Sequence, residues 1–597
     1  MGVQRHRAAL GEAAPGFRRS TLVIDQPLSP PTWAILEREL LRANDEACRA
    51  FFDYFFDARG HLRCIPRWGG DDGPDDAIEN LADWPVLHAL GASDEILEMC
   101  QLAWEGHVEQ YTAAKTTEVP FARDGMYYKE FPTICDWLHN GESMSVFNML
   151  GLSGPYASNF EKRVRRFAGF YMDEDPQAPN YDPEHRVIRS MYTGSRGPML
   201  RKATALDWAG DPIEIEDRFI LLHGERNYQE MLDHFKDYND VAGDHPLNMG
   251  ATSLVLNAYL LTGEQKYLDW LVGYADVWVE RTQANGGVVP SNIGLDGSIG
   301  GECDGKWYGG VYGWGFSTID PANGRLVHRN LSQWAYRGWG NALMATGDMK
   351  YVDTWRTVLD TVNGNAKTED GVTLYPHMHG DDGWYAFSEQ PYNHGALDLY
   401  YWTQDEADRE RVADDPWVKF LNGENPDFPE EAMAADFERI RSRVENGITR
   451  ETLTLDTRLS DNPNPFNPAS IGTLIKLIWG GLPTGIAGFP LQSRLRYFDP
   501  ARQRAGLPDD VAVLVEAMDA DSVTVTLVNL NQTHGRRIEV QGGGYGEHMI
   551  QDVEMGDTTH TVNATHFPVY LAAGCGSTLK IRMERWSSAP TMLFPWD

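Results

Sequence analysis

The segment Thr262-Gly263-Glu264-Gln265-Lys266-Tyr267-Leu268-Asp269 returns almost unchanged as Thr346-Gly347-Asp348-Met349-Lys350-Tyr351-Val352-Asp353, 84 residues on (position 262 against 346). The echo continues at Gly287-Val288 and Gly371-Val372, each leading into a loop that ends in Asp-Gly, at Asp296-Gly297 and Asp382-Gly383. A repeat this long suits a pair of helices with their loops. A looser copy from Leu90 to Leu97 places the start of the pattern near the N-terminus. Helices repeated in this way cannot bury their apolar stripes alone. They must stack, either as an open solenoid or as a ring closed on itself. The long loops rich in Gly, Trp, Tyr and Asp favour the ring, with a cleft at one end.

A chain of 597 residues exceeds the roughly 250–300 residues that one core usually serves, so a large domain with a smaller companion is expected. Helical periodicity predicts helices over 31–56, 76–90, 93–111, 140–150, 157–171, 216–228, 248–261, 266–282, 331–345 and 350–363. After about residue 450 the pattern turns to β-branched runs, such as Val511 to Val515, Val523 to Leu530, Arg537 to Val540 and Ser577 to Ile581, separated by Asp, Asn and Gly. The expected architecture is mainly α: a toroid of helical hairpins over 1–450, then a linker and an antiparallel β-sandwich over 451–597. Asn462 to Pro468, with three prolines, reads as a rigid joint. The stretch from Asp173 to Pro212 reads as an excursion over the ring mouth.

A net charge of −35, spread along the chain, argues against nucleic acid and anionic membranes as partners. The most apolar run, Ile471 to Trp479, falls short of the about 20 residues that span a bilayer. No apolar stretch follows the basic residues of the N-terminus before Pro15, so a cytoplasmic location is expected. The six cysteines form no Cys-x-x-Cys pair and read as buried thiols, with Cys303 alone in a functional-looking loop. No cofactor is called for. His377-Met378-His379 with Asp381 has ligand chemistry but reads as a structural loop, and no metal site is expected.

Four predicted helix starts share polar groups: His139-Asn140-Gly141-Glu142, His245-Pro246-Leu247-Asn248, His328-Arg329-Asn330 and Asn393-His394-Gly395. Asn caps helices. A ring of such N-termini also aims N–H groups and positive dipole ends into one mouth, which suits a polar or acidic ligand. Trp307, Tyr308 and Trp384 stand in the adjoining loops, where flat rings can stack on pyranose faces. Hydrolysis of a glycosidic bond needs two carboxyl groups, one protonated and one ionised. Glu302 and Asp304, in the Gly-rich loop from Gly300 to Gly310, and Glu142 across the ring are the candidate acids and bases. Tyr192 and Arg196, in the stretch from Ser190 to Pro198, offer another chemistry: with His139, a tyrosine hydroxyl could remove the proton beside a uronate carboxylate and eliminate the leaving sugar.

Helical-hairpin repeats with His/Asn helix starts and Gly-aromatic loops, followed by a β-sandwich, resemble the (α/α)6-type toroid carbohydrate-active enzymes. That group includes uronate-directed glycoside hydrolases, such as the β-glucuronidases of glycoside hydrolase family 154, and toroid polysaccharide lyases. The resemblance implies a glycoside hydrolase acting on a uronic acid-containing oligosaccharide, or a lyase acting on a uronate glycoside. Substrate contacts are expected from Asn140, Arg196, His245, Asn248, His328, Arg329, His394, Trp307, Tyr308 and Trp384. An oligosaccharide is the expected partner, and a homo-oligomer is compatible with the chain. A non-catalytic scaffold would require an exposed apolar face, whereas the aromatics here fall in Gly-rich loops.

Overall fold

The computed structural model describes residues 20–66, 74–113, 137–157, 159–174, 180–189, 243–301, 303–310, 313–320, 325–328, 330–484 and 487–597. A helical region leads into a β-rich C-terminal region built largely of antiparallel sheets. Among the described residues the α-helices of four residues or more are α1 (Thr32–Phe55), α2 (Pro74–Glu79), α3 (Trp84–Leu90), α4 (Asp94–Ala113), α5 (Trp137–Leu150), α6 (Phe160–Gly169), α7 (Thr252–Thr262), α8 (Gln265–Ala284), α9 (Ala335–Thr346), α10 (Lys350–Asn363), α11 (Ala396–Thr403), α12 (Glu406–Arg409), α13 (Pro416–Leu421) and α14 (Phe428–Val444). The predicted helix over 76–90 is two, because Asp83 takes a left-handed conformation at φ 74° between them. The predicted helix over 216–228 lies outside the described residues, as does most of the 173–212 stretch.

Burial sorts the repeated hairpins into two layers. Every residue of α7 is buried, whereas its partner α8 buries a stripe that includes Tyr267, Leu271, Tyr274, Ala275 and Trp278. A helix apolar all round lies inside, and one with a stripe lies at the rim. The same division separates α9, with Gly338 to Met344 buried, from the amphipathic α10.

The turn that joins each pair explains the repeat. Gly263 and Gly347 adopt φ 63° and 70° and donate their N–H groups to Tyr259 and Leu343, closing α7 and α9. Thr262 and Thr346 each donate a hydroxyl to the carbonyl four residues back, at 2.7 Å, and accept the N–H of Glu264 and Asp348. Lys266 and Lys350 then lie over the rings of Tyr267 and Tyr351. A third copy ends α11, where Thr403 bonds Leu399 and Asp405 in the same way and Gln404 takes the left-handed position at φ 56°.

Helix packing runs from neighbour to neighbour: α1 on α4, α4 on α3, α3 on α5, α5 on α7, α7 on α9, α9 on α10, and α10 on α11. Further along the chain α13 packs on α14, and α14 returns to α1. The Pro-rich segment expected to be a joint packs back on the helices, since Asn467 accepts the indole N–H of Trp84 at 2.9 Å and Asn464 donates to Glu79.

Two five-stranded sheets form the C-terminal region of the described chain. One, antiparallel throughout, has the order Val511–Met518, Ser522–Asn529, Gly576–Glu584, Met549–Met555, Thr558–Ala564. The other runs Leu22–Ile24, His566–Leu571, Arg536–Gly542, Leu495–Asp499, Arg504–Ala505. Its first strand comes from the N-terminal end of the chain and pairs in parallel with His566–Leu571, so the expected all-antiparallel C-terminal unit is corrected at that edge. Gly576–Glu584 alternates buried Leu579, Ile581 and Met583 with exposed residues, as one-sided strands do. Val511 to Val515 are all buried because α1 and α13 cover the second face, where the Glu37 carboxylate accepts the N–H of Val513.

Candidate active site

The starts of the inner helices lie side by side. The turn Pro246–Ala251 before α7 packs on α5, on α9 and on the turn Ser332–Trp334 that opens α9. Asn330 caps this second turn by accepting the N–H of Ser332 at 2.9 Å.

From the Gly-rich loop an unbroken series of rings leads to the start of α11. Trp307 packs on His379 at 4.6 Å, on Tyr308 at 5.6 Å and on Trp384 at 6.4 Å. Trp384 meets Trp314 edge-on at 5.6 Å, Trp314 meets Tyr392 at 5.3 Å, and Tyr392 meets His394 at 4.8 Å. The hairpin of Met378–Gly380 with Gly383–Tyr385 supplies both sides of this wall, because neighbouring strand residues point oppositely. Trp384 faces the other indoles, and Tyr385 faces His328 at 5.5 Å. The Ser317 hydroxyl links this second side, 2.7 Å from His328 Nδ1 and 2.8 Å from the Tyr385 hydroxyl. Burial and the neighbouring His377 hold His328 and His394 below the ordinary imidazole value, so both are neutral at pH 7. Yet solvent reaches both rings.

A separate small cavity, of about 20 Å³, lies where α9 and α11 meet the chain from Leu482: Arg337, Asn341, Asp398, Trp402, Thr484, Phe489 and Gln492 line it. Arg337 donates from Nη1 to the Thr484 carbonyl and from Nε to the Tyr336 hydroxyl, both at 3.2 Å. Its guanidinium also stacks 5.2 Å from the centre of the Phe489 ring. Burial raises the half-buried Asp398 carboxyl above the usual carboxylate range, and the Arg337 charge pulls it the other way. Burial works against the Arg337 charge, but Tyr336 and Asp398 outweigh it. Gly395, between His394 and α11, packs tightly on α9, because at φ 66° a Cβ there would lie 2.7 Å from the Tyr336 ring. A desolvated carboxyl beside a fixed guanidinium, with imidazoles and aromatic rings in the adjoining loops, has the residue types that general acid/base chemistry uses.

The structure thus gathers Trp307, Tyr308, Trp384, His328 and His394. The neighbouring residues that sequence reasoning missed are Arg337, Asp398, Ser317 and Tyr336. Glu302, Tyr192, Arg196 and Arg329 lie outside the described residues. The backbone of α5 carries His139 and Asn140, whose side chains are likewise outside them. Asp304 is an exposed residue in a tight turn at φ 54°, and Glu142, in the first half of α5, is half-buried. His377 contacts Ser388 and Gln390 at 3.0 Å, while Asp381 binds Lys306 and Tyr308 at the surface.

Asn248 serves a different centre. It is 1% exposed and donates its amide to Asp244 at 3.0 Å. The Asp244 carboxylate also accepts the Tyr274 hydroxyl and the N–H groups of Ile188 and His245, with Arg281 3.8 Å away. Burial pushes Asp244 up to about 6 against these partners. Asp244→Asn leaves one acceptor oxygen for several buried donors and strands Arg281, so a loss of about 3 kcal/mol in denaturant unfolding is expected. Wild type carries a stability contribution that is fully present below the unfolded carboxyl value near pH 4 and lost as pH rises through about 6. The Asn variant lacks that step. An unchanged pH–stability curve in the variant would show that Asp244 does not titrate there.

Solved structures give faint similarities. A glycoside hydrolase family 76 mannosidase from Bacteroides thetaiotaomicron VPI-5482 is 11% identical, with 73% of this chain and 99% of that one covered, at a TM-score of 0.33. A D-mannose isomerase is 11% identical, covering 62% and 94%, at 0.21. A glycoside hydrolase family 127 β-L-arabinofuranosidase from Geobacillus stearothermophilus T6 is 11% identical, covering 94% and 81%, at 0.25. Likeness at these scores bears on neither residues nor activity. No curated protein matches the chain. One family model does match, over residues 22–414, from the first strand through α12 and so across both helices that carry Arg337 and Asp398. The chain belongs to the family described as domain of unknown function DUF8034.

Proposed function

We propose that this protein is a glycoside hydrolase that removes a uronic acid or a similar acidic sugar from an oligosaccharide. In this reading the helical hairpins form a closed toroid and the cleft between its inner helices holds the sugar; the return of α14 to α1 supports closure. The observation that carries the proposal is Asp398 beside Arg337 in one small cavity of about 20 Å³, with the half-buried rings of Trp307 and Trp384 in the loops of the same helical region. Asp398, raised by desolvation, serves as the acid that protonates the leaving oxygen. Arg337 holds the uronate carboxylate, and the aromatic wall takes the apolar face of the next sugar. The second carboxylate is sought first at Glu302, which belongs to the same Gly-rich loop as Trp307.

One observation favours a lyase as the second reading: the chain of Tyr385, Ser317 and His328 is a ready path for the proton removed in β-elimination. A panel of uronate-containing oligosaccharides separates the two. Hydrolysis yields new reducing ends without ultraviolet absorbance, and elimination yields both. Neither signal from any member of the panel, with the protein folded and monodisperse, would overturn the assignment to sugar cleavage.

A further inference from the structure

Where the end of α11 meets the sheets, the interior holds more positive than negative charge. Arg494, between the strands Gln492–Ser493 and Leu495–Asp499, is 0% exposed. Among the described residues none of its three guanidinium nitrogens meets an acceptor. The group lies over the Tyr401 ring at 5.4 Å, and the Tyr401 hydroxyl is also buried without a hydrogen-bond partner among the described residues. Arg585 approaches the same ring at 5.8 Å but is engaged, donating to the carbonyls of Tyr401 and Trp402 at 2.9 Å and so closing the end of α11. His548 is buried close by, and burial together with these two arginines keeps it neutral.

The acids nearby do not balance this charge. Glu547 is buried and spends its carboxylate on the N–H groups of Gly544 and Tyr545, at 3.1 and 2.8 Å. Asp519 and Asp521 act on Arg494 through charge alone, with no hydrogen bond to its guanidinium. A guanidinium is charged at every accessible pH, and a buried charge is tolerated when it is paired. Water can satisfy N–H donors but cannot neutralise them.

We propose that Arg494, beside Tyr401, binds a small monovalent inorganic anion of the size and charge of chloride. Full burial of Arg494 excludes anything as large as a sugar acid, and the groups around Tyr401 without a hydrogen-bond partner among the described residues, the Arg494 guanidinium, the Tyr401 hydroxyl and the Arg585 Nε–H, can all donate. The anion joins α11, which carries Asp398, to the sheets, and its role is structural.

The test uses the full chain and chloride itself, and does not depend on the glycosidase reading. Thermal unfolding is measured in sodium chloride against sodium isethionate at equal ionic strength. The Tm is expected to rise with chloride and saturate, and bromide is expected to substitute for it. Crystals grown in bromide should show an anomalous peak against the Arg494 guanidinium. Arg494→Met keeps much of the side-chain bulk without the charge and should remove the chloride-dependent part of the Tm. If that variant does not fold, the wild-type titration and the bromide map still decide. Equal Tm in both salts, or ordered water in place of halide at Arg494, overturns the proposal.

Discussion

Asp398→Asn is expected to lower turnover of a uronate-containing oligosaccharide by about 10²–10⁴-fold, the usual contribution of a positioned acid or base, with little change in Tm. The amide fills nearly the same space beside Arg337 but cannot give up a proton. The pH profile makes the role specific. A general acid must be protonated, so wild-type kcat/KM should fall as pH rises through the Asp398 value, which burial has moved upward. The Asn variant should lose that basic limb along with its rate. A variant that keeps wild-type turnover, or keeps the limb at reduced rate, would remove Asp398 from the chemistry and leave it a structural group.

Arg337→Gln tests the other half of the pair. The guanidinium is held by the Thr484 carbonyl, the Tyr336 hydroxyl and the Phe489 ring, so its position is set before any ligand arrives. Loss of a desolvated charge partner costs about 2–5 kcal/mol, which raises KM for a uronate substrate by at least about 30-fold. The neutral-sugar counterpart should show no such rise. A second consequence follows from the same charge. Arg337 lowers the Asp398 carboxyl, so its removal lets that carboxyl climb further and moves the basic limb of the profile to higher pH. A rise in KM of equal size for charged and neutral substrates would mean that Arg337 supports the cavity without meeting the carboxylate.

The repeat was legible because each copy uses local chemistry. Thr262-Gly263 and Thr346-Gly347 each close a helix with a hydroxyl bond and a left-handed glycine, and such devices act within a few residues. The third copy was hidden because Gln404 takes the glycine position. Lys350 to Asn363 was found at its observed bounds, since its apolar stripe is sharp. The predicted run over 331–345 opens instead as the 3₁₀ turn Ser332–Trp334, a difference of backbone tightness that apolar spacing does not encode.

The site divides along the same line. Trp307, Trp384 and His394 stood out because aromatic and imidazole groups in Gly-rich loops are conspicuous in any sequence. Arg337 and Asp398 did not, since each is one polar residue inside an inner helix that otherwise reads as core. The sequence by itself determined the helical hairpins, the turns that join them, the change to strands near the end of the chain and the ring-bearing loops, all of which follow from short-range capping and periodicity. Only the tertiary structure decided that Arg337 and Asp398 share a cavity, that the N-terminal strand joins the last sheet, and that Arg494 is sealed inside. Those facts depend on which distant segments exclude water from a given group, and desolvation is a property of the assembled packing.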